Sequence, residues 1–249
     1  DVERSRGLGD VYKRQAGDAT GTALNSAASL GIDSLGRLFA WGNNVAGTLG
    51  DGTTVNKSSP VQIGTSSWAF VDISVNSNSS YMSAIGIDSV GRLFTWGAGE
   101  FGTLGHGSVD NFSSPVQVGS ISPTYDSWKA VASGDGFSVA IYGGTTRNGG
   151  LWSTGQNGVG QLGNGTTIQK LKFAENWPSG TTSWTSLAAG TSHVLGLATD
   201  GRLFTWGVNS SGQIGDGTTI NKSSPVLIGT SSWAFVSARG LNSAAIDSV

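Results

Sequence analysis

The 249-residue chain has no cysteine and only one methionine, and just 12% of its residues are charged. Without cysteine it can form neither a disulfide nor a zinc site with thiolate ligands. The sequence contains no apolar run of about 18 residues, the length that a membrane-spanning helix requires. We therefore expect no membrane partner.

Positive charge is sparse and scattered. The formal net charge is −2, from 14 basic and 16 acidic residues. Part of the basic charge lies near the start of the chain, at Arg4, Arg6, Lys13 and Arg14. A nucleic-acid-binding surface needs clustered cations to neutralise phosphates, and the remaining Lys and Arg residues form no such cluster in the sequence. We expect no nucleic-acid partner.

Glycine and aromatic residues are abundant by contrast, with 40 Gly, nine Trp and nine Phe. The stretch at 199–219, TDGRLFTWGVNSSGQIGDGTT, has related copies that begin at Ser34, Ser89 and Gly149. A spacing of roughly 55 residues between copies indicates a repeat architecture. Aromatic residues at recurring positions favour packed structure over disorder.

Each repeat has the pattern of short strands separated by turns. In the stretch 37–41, RLFAW, alternate side chains would lie on opposite faces of a strand. Gly36 permits the tight turn that precedes this strand. Pro60 begins another short strand, at a position where a missing N–H is tolerated. No segment shows a sustained helical period. The sequence predicts an all-β fold, a β-propeller of four-stranded antiparallel blades with about four blades plus a partial one.

The chain divides into a leader and one repeat array. Residues 1–15 share nothing with the repeats and are interpreted as a non-native or disordered leader. The sequence ends where the next GRLFxWG stretch would begin, so we expect a fragment of a longer protein. The array covers residues 16–249, with repeats at about 16–67, 68–127, 128–183 and 184–232 and a partial repeat at 233–249.

The fourth repeat resembles those of the regulator of chromosome condensation family. The shared pattern is an Ala-Gly-x-x-His lead, an Asp-Gly hairpin, Trp-Gly-x-Asn, Gly-Gln-Leu-Gly and Gly-Thr. Its positions here are Ala189, Gly190, His193, Asp200, Gly201, Trp206, Gly207, Asn209, Gly212, Gln213, Ile214, Gly215, Gly217 and Thr218. The resemblance implies a seven-bladed ring, of which this chain would form an arc.

The sequence offers little for catalysis or metal binding. The resemblance implies a structural role for His193, with a hydrogen bond inside its own blade. His106 takes the loop position held elsewhere by Asp51, Asn164 and Asp216, which is typical of a polar turn residue. One carboxylate per loop is too few for calcium, and two separate histidines do not suggest a transition-metal site. We predict no catalytic, cofactor or metal site and no enzyme activity.

Two roles are considered for the tryptophans: packing in the core and absorption of light. The family that the repeats resemble includes a plant UV-B photoreceptor, but its Gly-Trp-Arg-His-Thr signature is missing. The corresponding segments read SWAFV, SWKAV and SWTSL. We therefore expect the indoles to pack in the core, with Trp177, next to Pro178, as an exposed exception.

The leading functional prediction is a non-enzymatic scaffold that binds a protein partner. Propeller loops present variable side chains on a rigid frame, and the loop after each Trp-Gly is the most variable here. The alternatives are guanine-nucleotide exchange on a Ran-type GTPase, which the resemblance implies, and inhibition of an extracellular enzyme. The predicted partner-binding residues are Asn43, Asn44, Glu100, Phe101, Gln156, Asn157, Asn209 and Ser210.

Overall fold

The computed structural model describes residues 27–74, 79–119, 127–143, 149–176 and 183–248. The strands in these ranges form five antiparallel sheets, numbered here in chain order. Sheet 1 has three strands, sheets 2, 3 and 4 have four each, and sheet 5 has two. The predicted all-β fold of four-stranded antiparallel units is thus confirmed, whereas the predicted leader lies outside the described residues.

Within each sheet the strands pair with their neighbours in sequence. Short 3-10 turns occur at Ser79–Tyr81 and Glu100–Gly102. No helix in the described ranges is long and apolar enough to cross a membrane. The strands are β1 Ala28–Ile32, β2 Leu38–Gly42 and β3 Lys57–Gln62 in sheet 1; β4 Trp68–Ile73, β5 Ser83–Asp88, β6 Leu93–Gly97 and β7 Phe112–Gln117 in sheet 2; β8 Trp128–Gly134, β9 Phe137–Tyr142, β10 Gly150–Gly155 and β11 Lys170–Glu175 in sheet 3; β12 Trp184–Ala189, β13 His193–Ala198, β14 Leu203–Gly207 and β15 Lys222–Leu227 in sheet 4; and β16 Trp233–Arg239 and β17 Asn242–Asp247 in sheet 5.

The core lies between successive sheets. The first strands of neighbouring sheets meet, since β4 contacts β8, β8 contacts β12 and β12 contacts β16. Between sheets 1 and 2 the buried cluster includes Leu30, Trp68 and Trp96. Similar clusters join sheets 2 and 3, 3 and 4, and 4 and 5. Each sheet therefore depends on its neighbours to bury its apolar side chains, as expected of a repeat array.

Most described tryptophans are buried in these clusters, as predicted. The ring of Trp68 meets the edge of Phe94 with centroids 5.3 Å apart, and Trp128 meets Trp152 at 5.9 Å. Trp41 and Trp233 are half-buried, and Trp177 lies outside the described residues. The buried indoles are those of Trp68, Trp96, Trp128, Trp152, Trp184 and Trp206.

The hairpin between β5 and β6 shows how the predicted turns form. Asp88 Oδ1 accepts the backbone N–H groups of Val90 and Arg92, and Gly91 has a φ of 90°. The guanidinium of Arg92 forms an ion pair with Asp88 at 2.6 Å and lies 5.5 Å from the centre of the Phe94 ring. One carboxylate thus closes the turn and orients the arginine.

Candidate functional site

The loops that precede the last strand of sheets 1 to 4 provide the candidate site. In an antiparallel sheet whose strands follow chain order, successive connections lie at alternate ends, so these loops lie at the end opposite the hairpins that precede them. They are long, and we call the surface that they form the loop face. They span residues 43–56, 98–111, 156–169 and 208–221.

Each loop is fixed to the sheet that follows it. The indole of Trp96 donates from Nε1 to the carbonyl of Thr48 at 2.8 Å, and Trp206 donates to Gln161 at 3.0 Å. In sheet 3 a threonine replaces the tryptophan, and Thr154 Oγ1 instead donates to the Gly102 carbonyl at 2.8 Å. The loop face is therefore held on the packed sheets beneath it.

A buried asparagine organises three of the four loops. The side chain of Asn209 donates to the carbonyls of Thr218 and Ile220, at 2.9 and 3.2 Å, and its Oδ1 accepts the N–H of Ile214 at 2.9 Å. Asn44 and Asn157 make the same set of hydrogen bonds in their own loops. One amide thus joins the two arms of each loop.

This geometry changes the interpretation of several predicted partner-binding residues. The side chains of Asn44, Asn157 and Asn209 have 0% exposure, so they hold the loops and do not face a partner. Asn43 is also buried, and its Oδ1 accepts the N–H of Val45 at 3.1 Å. The variable sequence of these loops suggested contact residues, but the asparagine that recurs at positions 44, 157 and 209 is a buried hydrogen-bonding residue.

The other predicted contact residues reach the surface. Ser210 is exposed, and Glu100, Phe101 and Gln156 are partly exposed. Partner contact at these four positions stays a prediction.

An acidic side chain and a lysine support two of the asparagine-centred loops. Lys57 pairs with Asp51 at 2.9 Å, and Lys222 pairs with Asp216 at 3.0 Å. Burial alone would raise the pKa of Asp51, but hydrogen bonds from Lys57, Thr53 and Asn44 hold that pKa below its ordinary value. These carboxylates close turns, the role that the sequence suggested for them.

The second loop lacks both the buried asparagine and the ion pair, although its Asn111 Oδ1 still accepts the Gly99 N–H, as Asn56 and Asn221 accept the equivalent N–H in their loops. Gly99 stands in the place of the asparagine, where a Cβ would lie only 1.9 Å from the carbonyl oxygen of Asp110. His106 replaces the acid, and its ring packs edge-on against Phe112 with centroids 5.1 Å apart. Its Nε2 lies 2.9 Å from Thr95 Oγ1, and burial lowers the pKa of His106. An aromatic contact thus takes the place of the ion pair.

The same loop contains an unusual backbone conformation. Phe101 has a φ of 58°, in the left-handed region that non-glycine residues rarely adopt. A Cβ placed on Gly136 would lie 3.0 Å from Cδ2 of Phe101, so the phenyl ring covers a turn of sheet 3. Oε2 of the neighbouring Glu100 is buried without a hydrogen-bond partner among the described residues.

Exposed aliphatic side chains recur near the tips of these loops. Val55, Ile168 and Ile220 occupy the same place in three repeats and are 63, 70 and 67% exposed. In the second loop Val109, one position earlier, is 56% exposed. We did not predict these residues, although an aliphatic residue after Gly-Thr-Thr recurs visibly in the sequence.

The imidazole of His193 has a hydrogen-bond partner other than the predicted one. Its Nε2 lies 2.9 Å from Ser243 Oγ, and that hydroxyl donates to the Gln213 carbonyl at 2.8 Å, so the imidazole N–H donates to the hydroxyl. The hydrogen bond reaches sheet 5, so the prediction that it stays within its own blade is wrong. Among the described residues, no group of three or more His, Asp or Glu could hold a metal ion.

Comparisons with known proteins agree with this architecture. Family models of the regulator of chromosome condensation (RCC1) repeat match residues 36–81, 90–141, 184–213 and 200–238, which is more than half of the chain. The human E3 ubiquitin-protein ligase HERC2 is 29% identical over 210 residues, which cover 80% of this chain and 4% of the ligase. The ultraviolet-B receptor UVR8 of Arabidopsis thaliana is 28% identical over 209 residues, covering 83% of this chain and 45% of the receptor.

The fold of the chain also resembles that of a solved structure. Prp20p of Saccharomyces cerevisiae, described with its binding to Gsp1p and histones, superimposes with a TM-score of 0.67 at 18% identity. The match covers 89% of this chain and 54% of Prp20p. The chain thus spans about half of Prp20p and still less of the two sequence relatives. Repeat matches along most of its sheets, together with this likeness of fold, show that the chain belongs to the regulator of chromosome condensation (RCC1) repeat family.

Proposed function

We propose that the protein is a non-enzymatic scaffold that binds a protein partner through the loop face. The observation that carries this proposal is the recurrence of strongly exposed aliphatic residues, Val55, Ile168 and Ile220, on hydrogen-bonded loops. In each loop the carbonyl of the exposed residue accepts a hydrogen bond from the buried asparagine. The backbone that presents the side chain is therefore fixed before any partner arrives.

Such an arrangement favours association for two physical reasons. Burial of an exposed aliphatic side chain contributes roughly 25 cal/mol per Å² of apolar area. Ordering a flexible loop on binding would offset part of that gain, and a loop that is already ordered avoids the loss. Contacts spread over several repeats add to one continuous interface.

The first proteins to test as partners are those that a similar protein is described as binding. Prp20p is described with its binding to Gsp1p and histones, so we would measure the affinity of this chain for purified Gsp1p and for histones by calorimetry. Binding should weaken at least about tenfold in the variant Ile168→Asp/Ile220→Asp, because a charge would be buried at the interface. The control Leu35→Asp/Val90→Asp alters equally exposed residues in the hairpins at the opposite end of the sheets. Equal effects of both variants would contradict the assignment of the loop face.

Guanine-nucleotide exchange is the second candidate function, favoured by the likeness of fold to Prp20p. The test is the rate at which a labelled nucleotide leaves a Ran-type GTPase in the presence of this chain. An accelerated release would support exchange activity. Binding without acceleration would support the scaffold.

A further inference from the structure

The third loop of the loop face carries an asparagine where the first and fourth loops carry an aspartate. Its tip reads Asn-Gly-Thr-Thr at 164–167, and the others read Asp-Gly-Thr-Thr. Asn164 still forms the same turn, because its Oδ1 accepts the N–H of Thr166 at 3.1 Å and the hydroxyl of Thr166 at 2.8 Å. Asp51 Oδ1 accepts the same two groups of Thr53, at 3.0 and 2.7 Å. The third loop therefore has the geometry of the acidic loops without their charge.

A lysine stands ready to pair with an acid at this position. Lys170 begins the last strand of its sheet, six positions after Asn164, and Lys57 has the same place relative to Asp51. Lys57 pairs with Asp51, whereas Lys170 has no ion-pair partner among the described residues. The amide nitrogen of Asn164 likewise has no hydrogen-bond partner in the described ranges. An aspartate at position 164 would put a carboxylate oxygen in the place of this nitrogen and give Lys170 a partner.

We propose that Asn164 is a site of spontaneous deamidation and that the aspartate formed there pairs with Lys170. In this reaction the backbone nitrogen of Gly165 loses its proton and attacks the side-chain carbonyl carbon of Asn164. The new C–N bond closes a cyclic succinimide, and the side-chain nitrogen leaves with the proton as ammonia. Water then opens the ring to give aspartate or isoaspartate, so one water is consumed for each ammonia released. The reaction belongs to the free chain and needs no partner, so it goes beyond the proposed function.

Three features of the loop favour reaction at this position. Gly165 is exposed and has no Cβ to hinder the approach of its nitrogen. The amide oxygen of Asn164 accepts hydrogen bonds from Thr166 and Asn157, and such donors stabilise the negative charge that this oxygen carries in the tetrahedral intermediate. No group of the described chain holds the leaving nitrogen by a hydrogen bond.

One hydrogen bond restrains the attacking nitrogen. The N–H of Gly165 donates to the Ser223 carbonyl of the next sheet at 2.7 Å, so the tip must separate from β15 before the ring can close. The tip residues 165–168 are exposed, and β15 is the last strand of its sheet. Local opening needs little free energy at such a place. The rate of deamidation at Asn164 therefore reports how often this contact opens.

A second Asn-Gly pair in the same loop, at 157–158, is a matched internal control. Asn157 has 0% exposure, and hydrogen bonds inside the loop hold both its amide nitrogen and its oxygen. Its side chain can be attacked only after a larger opening that breaks all of these bonds. We expect Asn157 to stay intact while Asn164 reacts. The asparagine of the remaining Asn-Gly pair, at 148–149, lies outside the described residues.

The first test is peptide mapping by mass spectrometry after incubation of the full chain in mildly alkaline buffer, with aspartate and isoaspartate both counted as product. Conversion at Asn164 should be at least about tenfold faster than at Asn157, because opening of the tip is less costly than opening of the whole loop. The chain unfolded in urea should lose this difference. Equal rates at the two sites of the folded chain would overturn the proposal. An Asn164 that stays intact while the unfolded chain reacts there would overturn it as well.

The ion pair is tested separately with the variant Asn164→Asp, which supplies the product directly. Amide exchange in the loop 156–169 should slow by about two- to fivefold, the range expected of an exposed ion pair. Asp216→Asn, the reverse change in the fourth loop, should speed exchange in 208–221 by a similar factor. In a Lys170→Gln background Asn164→Asp should not slow exchange. Equal slowing with and without Lys170 would refute the pairing.

Discussion

At the residue scale, the buried asparagines explain how a glycine-rich loop keeps one conformation. Asn209 bonds both arms of its loop and is inaccessible to solvent. Replacing it would leave two carbonyls and one backbone N–H without partners. The second loop lacks this buried asparagine, but the side chain of Asn111 accepts the Gly99 N–H at 2.9 Å, and His106 packs against Phe112. The chain thus holds its long loops in place in two different ways.

We expect Asn209→Ala to lower the free energy of unfolding by about 2–4 kcal/mol, since several buried polar groups lose their partners. Urea unfolding monitored by tryptophan fluorescence would measure the change. Ser210→Ala, at the exposed neighbouring position, should stay within about 0.5 kcal/mol of the wild type. Similar losses in both variants would mean that the asparagine does not hold the loop.

His193 should make stability depend on pH. Burial, the larger effect, lowers the pKa of His193 from its ordinary value of 6.5, against an opposing hydrogen bond with the Asn242 backbone. The unfolded chain therefore binds more protons than the folded chain near and below pH 6.5, and the stability from the neutral imidazole is lost as pH falls through that range.

His193→Phe should reduce the dependence of stability on pH. A phenylalanine already occupies the equivalent position in another sheet of the chain. Phe137 fills the matching place in sheet 3, where its ring lies beside Gly134 as that of His193 lies beside Gly190. Urea unfolding at a series of pH values from neutral to mildly acidic would compare the two proteins. His106, whose pKa is also lowered, remains in the variant, so a smaller slope is expected, not a flat one. Parallel curves for variant and wild type would refute a role for His193.

At the element scale, the last strand of each complete repeat forms a sheet edge. These edge strands carry a proline in β3, β7 and β15, at Pro60, Pro115 and Pro225. A proline in an edge strand cannot donate to an incoming strand, which discourages pairing with another molecule. In β11 the proline is missing, but Lys170 and Lys172 supply charge with a similar effect.

Replacing these prolines by a β-favouring residue should promote self-association. We expect Pro60→Val/Pro225→Val to increase light scattering at high protein concentration, because two exposed edges regain N–H donors. Pro60→Lys/Pro225→Lys regains the same donors but adds charge, and it should remain monomeric in analytical centrifugation. If both variants stayed monomeric, edge protection would not be the role of these prolines.

The elements also show how far the sequence determines the structure. The strand pattern around RLFAW and the turn glycines sufficed to predict the all-β repeats, because alternation and positive φ are local properties. The burial of Asn44, Asn157 and Asn209 was missed, since it depends on partners up to eleven positions away along an irregular loop. The partner of His193 was also missed, because Ser243 lies 50 residues further on, in another sheet.

At the scale of the whole molecule, the sheets form a row in which burial depends on position. Ile246 in sheet 5 is 61% exposed, whereas its counterpart Ile87 in sheet 2 is 1% exposed. The difference arises because β5 has strands on both sides and a packed neighbouring sheet, whereas β17 pairs only with β16 in the described residues. In such an array stability is close to a sum of repeat and interface terms.

This gradient predicts that the same substitution has unequal effects along the row. Val131 in sheet 3 and Val236 in sheet 5 occupy equivalent positions and are nearly equally buried, at 3 and 4% exposure. Val131 belongs to the cluster between sheets 2 and 3, within the row, so Val131→Ala should lower the global free energy of unfolding by about 1–3 kcal/mol. Val236→Ala should mainly increase amide exchange in β16 and β17, because sheet 5 can open while sheets 1 to 4 stay packed. Hydrogen exchange of the two variants would measure this, and equal loss of protection in every sheet after Val236→Ala would show that the row unfolds as one unit.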